Sequence, residues 1–104
     1  MPTIADTSID LDALASLCRR YGVLRLDLFG SAATGNFDPG RSDVDLLVDL
    51  PELAPGAYAD AYFGLLSALE TLFGRRVDLL TGASLTNPYL RRRVEAERRP
   101  LFVA

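Results

Sequence analysis

Histidine and lysine are missing from this 104-residue chain; all 11 of its basic side chains are arginine. Without an imidazole there is no Ser-His-Asp or Cys-His nucleophile relay. Without an ammonium side chain there is no Walker A loop, no kinase-type nucleotide lysine and no Schiff base. Cysteine occurs once, at Cys18, which excludes an intrachain disulfide and, with no histidine to join it, argues against zinc. A lone cysteine on an apolar helix reads as a small core hydrophobe, at home in a reducing cytoplasm. No apolar run approaches the ~20 residues that span a bilayer. The acidic opening MPTIADTSIDLD also lacks the basic-then-apolar layout of a secretory signal. A cytoplasmic protein with no membrane partner is therefore expected. The tools left for chemistry are carboxylates, hydroxyls, guanidiniums and backbone dipoles, a set that suits a hard, oxygen-loving cation.

What is present reads as one folded domain over residues 1–104, with 1–9 as a flexible N-terminal tail; a hydrophobic share of 49% is ordinary for a packed core. Leu11, Leu14, Leu17, Cys18 and Tyr21 stand at helical spacing from Asp10 to Tyr21, with Gly22 as the stop. Val23 to Phe29 reads as a strand with Leu24, Leu26 and Leu28 on one face, and Val44 to Leu50 as a second strand. Pro51 to Gly56 is punctuated as a turn. Tyr58, Tyr62, Leu65, Leu69 and Leu72 form the apolar stripe of a helix from Ala57 to Phe73, ended by Gly74. Arg75 to Thr81 is the third strand. Asn87 reads as an N-cap before Pro88, opening a helix to about Arg98; Pro100 follows it, and Leu101 to Val103 is left as a short edge strand. Including a short helix after Phe29, the order predicts a small α/β (α+β) domain with a mixed sheet flanked by helices.

Three features carry chemistry. Asp43 and Asp45 alternate at the start of a strand, so their carboxylates share a face with Val44 turned away. Two like charges that close raise each other's pKa unless a cation joins them, and Mg²⁺ characteristically uses one or two carboxylates together with substrate phosphates. Alternating polar residues on a half-buried strand are the plainer explanation of the pair taken alone. Asp78 sits between Val77 and Leu79, where an acid needs a metal or an ion pair; Arg75 and Arg76 are the available partners. Gly30-Ser31 closes the first strand as a turn that lets backbone approach an anion, or simply as a turn with a cap.

Taken in order, Leu28-Phe29-Gly30-Ser31, Gly35, Ser42-Asp43-Val44-Asp45-Leu46 and Val77-Asp78-Leu79 resemble the minimal nucleotidyltransferase (MNT) family of the DNA polymerase β-like superfamily. The resemblance runs from about Leu11 to Phe102. Eleven residues separate Ser31 from Asp43, one more than the family's usual spacing, and Ala32-Ala33-Thr34 stand where many members carry arginines. The resemblance implies that Asp43 and Asp45 hold two Mg²⁺ ions. Asp78 completes that site, as general base or as ligand of the second metal, and Gly30 and Ser31 steady the triphosphate of ATP. It also implies a helical HEPN-type toxin as partner and acceptor, in a hetero-oligomer where AMP moves from ATP to a toxin hydroxyl and the present chain is the antitoxin.

Two other readings stay open: neutralisation of a partner by occlusion alone, and transfer to a small molecule or RNA end with the acceptor held by another subunit. The segment Arg91 to Arg99 reads first as a solvated helix end with Glu95 pairing locally. The net charge of -3 argues against direct nucleic-acid binding. Phe63 lies off the apolar stripe and is a candidate docking residue.

Overall fold

Two faces of one sheet account for the alternation of side chains along the strands. The computed structural model describes every residue from Met1 to Ala104. The elements are β1 (Thr3–Ile4), β2 (Thr7–Ser8), α1 (Leu11–Arg20), β3 (Arg25–Phe29), α2 (Ser31–Thr34), β4 (Val44–Asp49), α3 (Pro55–Phe73), β5 (Val77–Thr81), a 3-10 turn at Gly82–Ser84, α4 (Pro88–Glu97) and β6 (Arg99–Val103). The main sheet has the order β5-β4-β3-β6. β4 runs parallel to β5 and antiparallel to β3, and β6 is antiparallel to β3. This is the mixed sheet with flanking helices that the sequence predicts.

Leu26 and Leu28 of β3, Val44, Leu46 and Val48 of β4, and Val77 and Leu79 of β5 point to one face. They pack there against Leu14 and Cys18 of α1 and Leu65, Leu69 and Phe73 of α3. The intervening residues point the other way, where Phe29 and Leu47 meet Leu85 and Val94 of α4. That second apolar cluster is smaller and leaves room for polar side chains. The chemistry lies on this face.

Helix ends follow the local signals. The Asp10 carboxylate caps α1, accepting from the N–H groups of Asp12 at 2.9 Å and Ala13 at 3.2 Å. Asn87 caps α4, accepting from the Tyr89 N–H at 2.9 Å, with Pro88 at the first helical position. α3 begins at Pro55 rather than Ala57, because Pro55 is likewise a first-turn proline and not part of a turn.

The expected tail at residues 1–9 is instead placed as a hairpin, β1 pairing antiparallel with β2 through Ala5 and Asp6 at positive φ, the backbone of a two-residue hairpin turn. Ile9, next in the chain, is fully buried, which docks the hairpin on the main core. The C-terminal strand is longer than expected: β6 takes in Pro100, opposite Asp27, where the register with β3 shifts. An edge strand at a bulge is where a proline costs the ladder least. Leu24 lies before β3 and is exposed, so only Leu26 and Leu28 of the predicted face reach the core.

The outer edge of β5 is covered by side chains. Its Val77 N–H donates to Glu70 at 3.2 Å, its Thr81 N–H donates to the Ser84 hydroxyl at 3.0 Å, and its Leu79 carbonyl accepts from the Tyr62 hydroxyl. Satisfying these groups within the chain blunts the edge against pairing with another strand.

Candidate active site

Register brings the acids together. In the parallel β4–β5 pair, Asp45 lies opposite Asp78; in the antiparallel β3–β4 pair, Asp45 lies opposite Phe29. The residue after Phe29 is Gly30, so the chain turns out of the sheet against the Asp45 carboxylate. Gly30 has φ +70, and a Cβ built on it would lie 2.2 Å from Asp45 Oδ2. No other residue fits this turn, for lack of space and because of its left-handed backbone. α2 starts at Ser31, and the Gly30 carbonyl accepts from the N–H groups of Ala33 at 3.1 Å and Thr34 at 3.2 Å.

Gly30, Asp45 and Asp78 line one cavity of about 340 Å³, together with Arg93, Val94 and Glu97 of α4. A larger cavity on the same sheet face, about 390 Å³, is lined by Arg25, Asp49, Arg91, Glu95 and Arg98. Its arginines are committed within the chain, to Asp27, Glu95 and the Leu85 carbonyl. The acids and the glycine turn single out the smaller cavity.

Asp43 is exposed just before β4 and lies outside the cavity wall. As placed, no three carboxylate or thiol groups stand close enough together to hold a metal ion; Asp45 and Asp78 are joined and Asp43 is their neighbour. Electrostatics ties the three together nonetheless. The Asp45 carboxyl is raised from the ordinary 3.8 to about 6, first by burial, then by the charges of Asp78 and Asp43, with Glu97 adding to the rise and Arg93 opposing it. Such a site is short of positive charge, and its all-oxygen donor set fits a hard divalent cation in kind.

Asp78 makes no ion pair with Arg75 or Arg76. Its side chain is exposed on the site face while Val77 and Leu79 point into the core, so alternation removes the burial cost that its apolar neighbours suggest. Arg75 is used elsewhere: its guanidinium lies 4.8 Å over the Phe37 ring and donates to the Pro39 carbonyl at 3.2 Å. It thereby pins the loop that delivers Asp43. The loop also closes on itself, Asp38 accepting from the N–H groups of Gly40, Arg41 and Ser42.

The Arg91 to Arg99 segment is more than a solvated helix end. Arg91 donates to the Leu85 carbonyl at 2.7 Å, and Arg93 pairs with Glu97 at 3.5 Å. Arg98 pairs with Glu95, as local pairing predicts, and also with the fully buried Asp27 of β3, its Nε donating to that carboxylate at 2.6 Å. Asp27 further accepts from Arg25 Nε at 3.0 Å. Nothing local in the sequence marks Asp27, Arg93 or Glu97 as part of this face; the i,i+4 spacing of the last two gives no direction across the fold.

The nucleotidyltransferase domain family matches residues 12–101, and the chain belongs to that family: it is a nucleotidyltransferase. Over 78 residues it is 35% identical to a candidate protein adenylyltransferase of Methanocaldococcus jannaschii, MJ1379, covering 75% of this chain and 76% of that protein. A solved minimal nucleotidyltransferase superposes with a TM-score of 0.70 at 39% identity, over 86% of this chain and 87% of the other. An MNT antitoxin complexed with a tri-AMPylated HEPN toxin from Shewanella oneidensis shares the fold, with a TM-score of 0.54 at 23% identity over 90% and 70% of the two chains. No helix is long and apolar enough to cross a membrane.

Proposed function

We propose that this chain transfers AMP from ATP to a hydroxyl of a partner protein, a helical HEPN-type toxin, and acts as that toxin's antitoxin. The observation that carries the reading is the pairing of Asp45 with Asp78 across β4–β5 beside the Gly30 turn. The turn presents backbone N–H to an anion, and the acids stand where a cation would be drawn between phosphate and protein. Magnesium, two ions by family resemblance, would supply charge neutralisation of the triphosphate and a lower pKa for the attacking hydroxyl, held by Asp43, Asp45 and Asp78. Asp43 is exposed just before β4, and its side chain would have to turn toward Asp45 to join that set.

Within this reading each residue has a defined task. Gly30 N–H and Ser31 bind and orient the phosphates, and Asp78, at the exposed end of the pair, faces the incoming acceptor and takes its proton. The hydroxyl oxygen attacks the α-phosphorus in line and pyrophosphate leaves. The exposed side of Asp78 leaves room for an acceptor brought by a partner. The kinship with MJ1379 and the shared fold of the AMPylated toxin complex support AMP as the group moved.

Incubation with α-labelled ATP, Mg²⁺ and a HEPN-type partner tests this. Label and one or more added AMP masses are expected on the partner, falling by ~10²-fold or more in Asp78→Asn, the scale on which a positioned general base contributes. Occlusion is the second reading, favoured by Ala32-Ala33-Thr34 in place of arginines. Neutralisation that persists in Asp45→Asn with no label on the partner would establish it and exclude transfer.

A further inference from the structure

Glu97 is a fourth carboxylate in a cavity already short of positive charge. One of its oxygens, Oε2, accepts from the Gly30 N–H at 3.2 Å; the other, Oε1, lies 3.5 Å from Arg93 Nε. A bridge between a turn amide and a guanidinium is the arrangement in which phosphate oxygens are bound. Glu97 is also the last residue of α4, where the helix dipole disfavours an acid. Its contacts with Gly30 and Arg93 therefore hold it against the local field. The side chain of Arg93 is 70% exposed, so it can turn at little cost in packing, and that of Glu97 keeps 22% of its surface open to solvent.

Resting on the nucleotidyl-transfer reading, we propose that Glu97 occupies the phosphate position of the nucleotide-free protein, and that the triphosphate displaces it and takes over Gly30 N–H and Arg93. Arg93 is then the phosphate-positioning cation of this chain. It reaches the Gly30 turn from α4 and replaces, from the opposite side of the cavity, the positive charge that Ala32, Ala33 and Thr34 do not provide. Glu97 keeps Arg93 aimed at the turn before ATP arrives. It also sets a threshold, because a ligand must bring phosphate to both of its partners to displace it, and in this reading the phosphates held at the Gly30 turn are the distal ones, which AMP lacks.

Calorimetric titration of the full chain with ATP and with AMP, each with Mg²⁺, tests this on wild type, Arg93→Ala and Glu97→Gln. Arg93→Ala is expected to weaken ATP by ~10-fold or more, the lower range for a hydrogen bond to a charged group, and AMP by less than ~2-fold. Glu97→Gln keeps an oxygen for the Gly30 N–H but loses the competing charge, so ATP should bind ~3- to 10-fold tighter. An unchanged ATP affinity in Arg93→Ala, an equal loss for ATP and AMP, or weaker ATP binding by Glu97→Gln would each overturn the proposal while leaving nucleotidyl transfer standing. A wild-type chain that binds no ATP would overturn both.

Discussion

A Cβ placed on Gly30 would lie 2.2 Å from Oδ2 of Asp45, so the turn after β3 and the first carboxylate of β4 are fitted to one another. Gly30→Ala must then push the carboxylate aside and also adopt φ +70. The backbone strain alone is of order 1–3 kcal/mol. Urea unfolding should show Gly30→Ala costing more in the wild-type background than in Asp45→Ala, where the backbone strain and a 3.3 Å contact with the residue-45 Cβ remain but the carboxylate clash is gone. Equal costs in both backgrounds would mean the carboxylate contact is not what excludes a side chain.

The raised Asp45 pKa has a defined sign. The folded chain holds this proton up to about pH 6, against the ordinary 3.8. The folded state therefore binds more protons between those values, and stability falls as pH rises through that window. The penalty is absent below about pH 4 and complete above about pH 6. A two-unit shift corresponds to about 3 kcal/mol, reduced by solvent screening of this half-buried group to about 1–2 kcal/mol. In metal-free buffer Asp45→Asn should match wild type at pH 4 and melt higher at pH 7.5. Added Mg²⁺ should stabilise wild type at pH 7.5 and leave Asp45→Asn nearly unmoved. A constant difference between the two proteins across this range would refute the coupling.

The sequence made the acids and the glycine turn visible because their meaning is local. Alternation puts Asp45 on the site face, while Asp43, expected beside it, falls just before β4; a glycine before a helix start marks a backbone no other residue tolerates. The same reasoning located the three long helices to within a few residues, and it misread Pro55 by taking a first-turn proline for a turn. What stayed hidden depends on packing between distant elements. Arg93 and Glu97 look like any exposed i,i+4 pair until α4 is laid across β3 and β4. The burial cost foreseen for Asp78 belonged to a strand buried on both faces, whereas β5 buries Val77 and Leu79 on one face only. Asp27 was masked by its neighbours: between two leucines it pairs with Arg25 nearby, but its partner Arg98 shows only when the chain returns 71 positions later.

That return explains why α4 sits where the site needs it. Asp27 is fully buried, and its carboxylate is shared by Arg25 from its own strand and Arg98 from the end of α4. Arg98 lies next to Glu97, so this ion pair fixes the end of the helix that supplies Glu97 and, one turn earlier, Arg93. Removing one partner of a buried pair leaves an uncompensated charge and costs about 3–5 kcal/mol, whereas replacing both with apolar side chains is often near neutral. Arg98→Met leaves Asp27 to Arg25 alone, so it should lower stability by less than that, about 1–3 kcal/mol, and Asp27→Leu with Arg98→Met should recover most of it. If the pair also positions α4, the double variant will be stable yet bind ATP more weakly than wild type. Hydrogen exchange at the Gly30 amide will then be faster, since Glu97 no longer stays on it. Recovery of stability together with unaltered exchange at Gly30 would show that packing by Val94, not the ion pair, holds α4 over the turn.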